Sequence, residues 1–122
     1  VDTVDTLLSL TPDYARSAVF ERRLGLTGLS IFAVDPATGS IEVRSFAPSC
    51  GVNEDPVCGS GNGSIAAFRV HGGQLGGTSW SYTAHQGQRL GREGLIALSA
   101  DDKGIIRVGG ACVTTVTGIL EL

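Results

Sequence analysis

The stretch from Ser49 to Ser64 limits most tightly how this chain folds. It holds four closely spaced glycines, Gly51, Gly59, Gly61 and Gly63. With them stand the adjacent carboxylates Glu54 and Asp55, the thiol of Cys58 and the hydroxyl of Ser60. A strand-like run precedes it and a helix-like run follows it. Glycine lets a backbone pass close to a ligand and leaves amide N–H groups uncovered. A helix start adds N–H donors with no partner inside the helix. Together they make a seat for an anion such as a carboxylate.

The flanking runs place that seat. Val1 to Leu10 alternates loosely and reads as a strand. Thr11 and Pro12 read as N-cap and first position of a helix. Asp13 in the first turn and Arg22 and Arg23 in the last suit its dipole. Tyr14, Ala15, Ala18 and Val19 form its apolar stripe, and Gly25 ends it as a C-cap. Leu29 to Val34 and Ser40 to Ala47 read as a β-hairpin about the turn Asp35-Pro36-Ala37-Thr38-Gly39. In its second strand Ile41, Val43 and Ser45 share one face, and Glu42, Arg44 and Phe46 the other. Downstream, Ser64 to Gly72 reads as a helix apolar nearly all round, through Ile65, Ala66, Ala67, Phe68 and Val70, hence buried. Thr78 to Gln86, Gly94 to Ser99, Gly104 to Val108 and Ala111 to Leu122 read as four further strands, separated by glycine turns. The expected class is α+β: a curved mixed or antiparallel sheet wrapped around a central buried helix.

Bulk properties narrow the function. A chain of 122 residues fits a single domain, 1–122, with one core. A net charge of −3 with no basic run argues against a nucleic-acid partner. No apolar run is long enough to span a membrane. Charged residues are only 17%, which points to surface covered by a partner. Cys50, Cys58 and Cys112 are odd in number and lack metal-type spacing, so they read as reduced thiols of a cytoplasmic protein. His71 and His85 are far apart, and no metal site is expected. The first residue is valine, which reads as a piece of a longer protein.

Within the central stretch, Cys58 precedes the helix start, a location that favours thiolate and suits a proton-transferring or nucleophilic cysteine. The alternative is a small buried filler, the reading given to Cys50 and Cys112. Asp55, held extended by Pro56, suits a general acid or base, or a hydrogen-bond acceptor for a substrate. The alternative is a turn residue bonding its own backbone. Glu54 beside it fits either role, and a close pair would raise one carboxyl. Gly59, Ser60, Gly61 and Asn62 would supply the carboxylate-binding groups. Gln86, Gly87 and Arg92 form a second polar, glycine-rich site at a strand end, with Arg92 suited to a bidentate carboxylate contact.

Four motifs together carry a resemblance. They are Arg44-x-Phe46-x-Pro48, Gly51-x-x-Glu54-Asp55-Pro56-x-x-Gly59-Ser60, Gln86-Gly87-x-x-x-Gly91-Arg92 and Val108-Gly109-Gly110. The chain resembles the C-terminal half of the PhzF-like (phenazine biosynthesis) isomerase family. The resemblance implies a diaminopimelate epimerase-like fold: two similar halves, each a curved sheet round a helix, with the site in the cleft between them. It implies that Asp55 faces the substrate and that Gly59 and Ser60 hold its carboxylate. At Cys58 many members have threonine. Cys58-Gly59-Ser60-Gly61 is instead similar to the motif of diaminopimelate epimerase and proline racemase, where that cysteine moves the α-proton.

The family's N-terminal half, with its acid/base glutamate, has no counterpart in these residues. The expected partner is therefore that half or a second copy of the chain. The resemblance implies a cofactor-independent isomerase moving a proton on a small carboxylate-bearing substrate, in secondary-metabolite biosynthesis. The alternatives are a cysteine-dependent epimerase or racemase, C–C bond cleavage on the same scaffold, and a non-catalytic half-domain serving binding or assembly.

Overall fold

The computed structural model describes residues 1–121. In chain order the helices and strands are α1 (Val4–Ser9), α2 (Tyr14–Leu24), β1 (Leu29–Val34), β2 (Ile41–Ala47), β3 (Val52–Asp55), α3 (Gly59–His71), β4 (Trp80–Gln86), β5 (Gly94–Ala100) and β6 (Ile106–Gly109). The α+β class expected from sequence is the one found, built on a six-stranded mixed sheet. Among the described residues no helix is long and apolar enough to cross a membrane.

β2 is the pivot of the sheet. One edge pairs antiparallel with β1 from Leu29↔Phe46 to Val34↔Ile41, as the Asp35–Gly39 turn predicts. Its other edge is shared between two strands. Ile41 to Val43 pair parallel with Ala84 to Gln86 of β4, and Ser45 and Ala47 pair antiparallel with Asp55 and Val52 of β3. The C-terminal ends of β3 and β4 therefore abut against β2. β5 and β6 extend the sheet antiparallel beyond β4.

Strand alternation divides the side chains between two faces. Ile41, Val43, Ala84, Ile96 and Leu98 meet Ile65 and Ala66 of α3 in the core. On the opposite face α1 lies over β1 and β2, and α2 packs against the Pro48–Cys50 turn. Leu7 and Ala33 are fully buried there, and Tyr14 and Phe46 rings lie 6.2 Å apart.

Several local expectations change. Val1 to Leu10 contains a helix, not a strand: Thr3 caps α1 by accepting from the Thr6 amide. Its Val4, Leu7 and Leu8 fit the i, i+3, i+4 spacing of a helix rather than alternation, and Leu7 is the residue it buries. The cap of α2 is Asp13 rather than Thr11, its Oδ1 accepting from the Arg16 amide. In the α2 stripe, Ala18 is buried but Val19 is exposed, and Glu21 is buried instead, accepting from the Ser49 amide. Gly25 is the left-handed C-cap anticipated, at φ 66°. α3 begins at Gly59, five residues earlier than expected. Only one face of it is buried: Asn62, Ile65, Ala66 and Arg69 point inward, while Ala67, Phe68 and Val70 are exposed. Residues 111–121 form no strand, although they are rich in β-branched residues. Val113, Val116 and Ile119 are almost fully exposed and have no neighbouring strand edge among the described residues. Leu122 lies outside the described residues. Cys50 and Cys112 are exposed rather than buried fillers.

Candidate functional site

The site is built where β3 and β4 end against β2. Asp55 closes β3, and its Oδ1 accepts from the Val57 amide at 2.9 Å, turning the chain toward α3. Cys58 is the N-cap of α3. Its Sγ accepts from the Gly61 amide at 3.3 Å and lies 3.7 Å from the Ser60 hydroxyl. Asn62 N–H bonds to the Cys58 carbonyl at 3.1 Å, in the ordinary helical pattern. The Gly59 and Ser60 amides are left without a protein acceptor among the described residues. They are the first two N–H groups of a thirteen-residue helix, where the dipole also favours negative charge.

Three glycines in the first turns of a helix cost about 1 kcal/mol each relative to alanine. Gly61 has a specific reason. A Cβ there would lie 2.5 Å from the Ser30 hydroxyl, 3.0 Å from Cys58 Sγ and 3.1 Å from the Ser45 hydroxyl. Gly59 meets nothing within 4 Å, so its backbone stays open.

Ser30 and Ser45 are the residues that sequence reasoning missed. Their hydroxyls lie 2.8 Å apart across β1 and β2, beneath the start of α3. The available signal was a serine continuing the otherwise apolar Ile41 and Val43 face, aligned opposite another serine. With Asp55, Cys58, Ser60 and Gly61 they form the polar end of a cleft of about 1050 Å³. Ile31, Phe32, Ile65 and Phe68 line its apolar end.

The other expected site residues have different placements. Glu54 faces away from Asp55, because neighbouring residues of a strand point to opposite faces. Its carboxylate takes two 2.8 Å bonds from buried Arg44. The guanidinium hydrogen bond to Glu54 holds Arg44 above its usual range. Glu54 and Asp55 are thus not a carboxylate pair. Gln86 is buried and its amide is fully engaged. Oε1 accepts from the Cys58 amide (3.3 Å) and from Asn62 Nδ2 (2.8 Å), while Nε2 donates to the Asp55 carbonyl (2.7 Å). Asn62 is likewise buried, and its Nδ2 also donates to the Cys58 carbonyl. These two amides clamp the loop from beneath. Gly87 lies behind it: a Cβ there would meet the Pro56 carbonyl at 2.7 Å. Arg92 is exposed beside Gly87 and does not line the cleft.

A family model described as "Phenazine biosynthesis-like protein", PhzC-PhzF, matches residues 1–118. The chain belongs to the PhzC-PhzF family. Among relatives, an uncharacterized isomerase, YddE, of Salmonella typhimurium is 33% identical over 90 residues, covering 72% of this chain and 30% of that protein. An uncharacterized isomerase of Deinococcus radiodurans is 33% identical over 120 residues, covering 93% of this chain and 38% of that one. The chain spans about a third of the length of these curated relatives. The fold is that of a PhzF family phenazine biosynthesis protein of Bacillus anthracis, with a TM-score of 0.69 and 16% identity. That match covers 88% of this chain and 38% of the other. The PhzC-PhzF membership agrees with the motif resemblance, and of the Glu54-Asp55-Pro56 and Gly59-Ser60 motifs Asp55 and Ser60 line the cleft.

Proposed function

We propose that this chain forms the carboxylate-binding wall of a PhzF-like isomerase that moves a proton on a small unsaturated acid, without a cofactor. The observation that carries this reading is the convergence of Asp55, Cys58, Ser60 and Gly61 on one end of the cleft, with the Gly59 and Ser60 amides unused. The substrate carboxylate takes those amides and the Ser60 hydroxyl. Asp55, at the end of β3, orients the reacting carbon's neighbours or carries a proton. The relatives' name, isomerase, supports the class of reaction.

A second wall completes the site, supplied by an N-terminal half or by a second copy of the chain. Support comes from Phe68 of α3, which is exposed and lines the open cleft. The test is incorporation of solvent deuterium into a dihydro-hydroxyanthranilate. The chain is assayed alone and mixed with the N-terminal half of a family member. Exchange in the mixture, lost in Asp55→Asn, is the expected result. No exchange in either sample sinks the proposal.

A cysteine-dependent epimerase is the second reading, favoured by the position of Cys58 Sγ in the cleft, 3.7 Å from the Ser60 hydroxyl. Full exchange activity in both Cys58→Ser and Cys58→Ala rules it out.

A further inference from the structure

Arg69 reaches the cleft from the far end of α3. Its side chain is only 6% exposed, and its Nε and Nη1 are buried without a hydrogen-bond partner. The guanidinium lies 4.3 Å above the Tyr82 ring and 5.9 Å from the Phe32 ring. Among the described residues, the ion pairs are Arg44–Glu54 and Arg107–Asp101, so no carboxylate answers Arg69. Aromatic faces compensate a desolvated cation only in part, and burying an unpaired charge costs more than such contacts return. Arg69 is also unlike the cations of a solvated helix face, because its charged head is withdrawn rather than extended into water. The Tyr82 hydroxyl, also buried without a partner, stands at the same guanidinium but is neutral, so the charge itself is unanswered, and Arg69 lines the cleft.

We propose that Arg69 is a second anion subsite, and that the cleft takes a small dicarboxylate with a flat unsaturated or aromatic body. One carboxylate sits on the Gly59 and Ser60 amides. The body lies along Phe32 and Phe68, whose rings are 6.2 Å apart in an edge-to-face arrangement. The second carboxylate reaches Arg69. Arg69 lies nine residues along the helix from Ser60 and ten from Gly59, about 14–15 Å along the axis. Long side chains lean back toward the helix N-terminus, which shortens that span. This inference rests on the reading of the Gly59–Ser60 amides as a carboxylate seat.

The test titrates terephthalate and benzoate into the 122-residue chain, following the Gly59 and Ser60 amides and the Arg69 Nε–H by NMR. Terephthalate is expected to bind at least tenfold more tightly than benzoate and to move all three signals. Arg69→Gln should reduce terephthalate to the affinity of benzoate while leaving benzoate within twofold. Arg69→Lys, which keeps the charge should the glutamine variant fail to fold, should retain part of the preference. Equal affinity for the two acids, or a preference that survives Arg69→Gln, overturns the subsite. Binding of neither acid overturns it as well, because the cation is then answered by protein. Benzoate that moves the Gly59 and Ser60 amides without any Arg69-dependent preference sinks the subsite alone. Arg69-dependent binding that leaves those two amides unmoved retains the subsite and overturns the loop reading.

Discussion

Arg44 and Glu54 form a two-point ion pair, Nε to Oε1 and Nη2 to Oε2 at 2.8 Å each, with both side chains about 95% buried. The same guanidinium donates through Nη1 to the Leu7 and Leu10 carbonyls, at the C-terminal end of α1. One buried pair thus joins β2, β3 and the first helix, and it sits directly behind the cleft residue Asp55. Removing one partner leaves the other charge buried and unpaired. Glu54→Gln is expected to cost about 3–5 kcal/mol. Replacing both, Arg44→Met with Glu54→Leu, should cost less than Glu54→Gln alone. Urea unfolding of the parent and the two variants checks the ordering.

Gln86 supplies three hydrogen bonds to the loop and to α3 without reaching the cleft. Gln86→Leu strands the Asp55 carbonyl and the Cys58 amide, at a cost of about 1–3 kcal/mol. Hydrogen exchange at Cys58 should accelerate, and benzoate binding at the Gly59 and Ser60 amides should weaken.

Gly61→Ala is expected to lower both stability and binding. The propensity gain of up to about 1 kcal/mol is outweighed by the overlap, which costs about 1–3 kcal/mol. The new methyl must displace the Ser30 hydroxyl and crowd Cys58 Sγ, so carboxylate affinity should fall tenfold or more, about 1.4 kcal/mol. A thermal melt and an NMR titration on one sample separate the two effects.

Cys58 serves as a cap whatever else it does. Cys58→Ala should lose about 1 kcal/mol of stability, and Cys58→Ser should retain most of it. Under the PhzF-like reading, Cys58→Ser also keeps deuterium exchange within a few fold.

Glu42 has a buried Oε1 with no partner, and burial pushes its carboxyl above the ordinary value of about 4.5, with His85 opposing. The folded state therefore holds the proton more tightly than the unfolded chain. That contribution is fully present below pH 4.5 and is lost as pH rises through the folded value. Glu42→Gln, which mimics the protonated form, should melt higher than the parent at pH 7. The difference should vanish below pH 4. Melting curves across pH 3 to 8 test the sign.

Much of this was readable in the residues. The β1–β2 hairpin follows from its turn and alternation, and the Gly25 cap from glycine's access to the left-handed region. The convergence of Asp55, Cys58, Ser60 and Gly61 follows from their closeness in sequence. Other features were not local. β3 is four residues long and pairs irregularly, so no period marks it. Glycines hid the first turns of α3, because propensity there is overruled by packing. Residues 111–121 have strand propensity but pair with no strand among the described residues, and propensity alone does not make a strand.

The sequence by itself determined the family, the α+β class and the place of the glycine-rich loop before a helix, because motifs and turn chemistry are written in adjacent residues. Only the tertiary structure separated the roles of Glu54 and Asp55, one turned to Arg44 and one to the cleft by strand alternation. It alone placed Gln86 and Asn62 under the loop, paired Ser30 with Ser45, and left Arg69 buried without an acceptor. Those assignments depend on which side chains from distant segments meet in low dielectric, and no spacing along one chain records that.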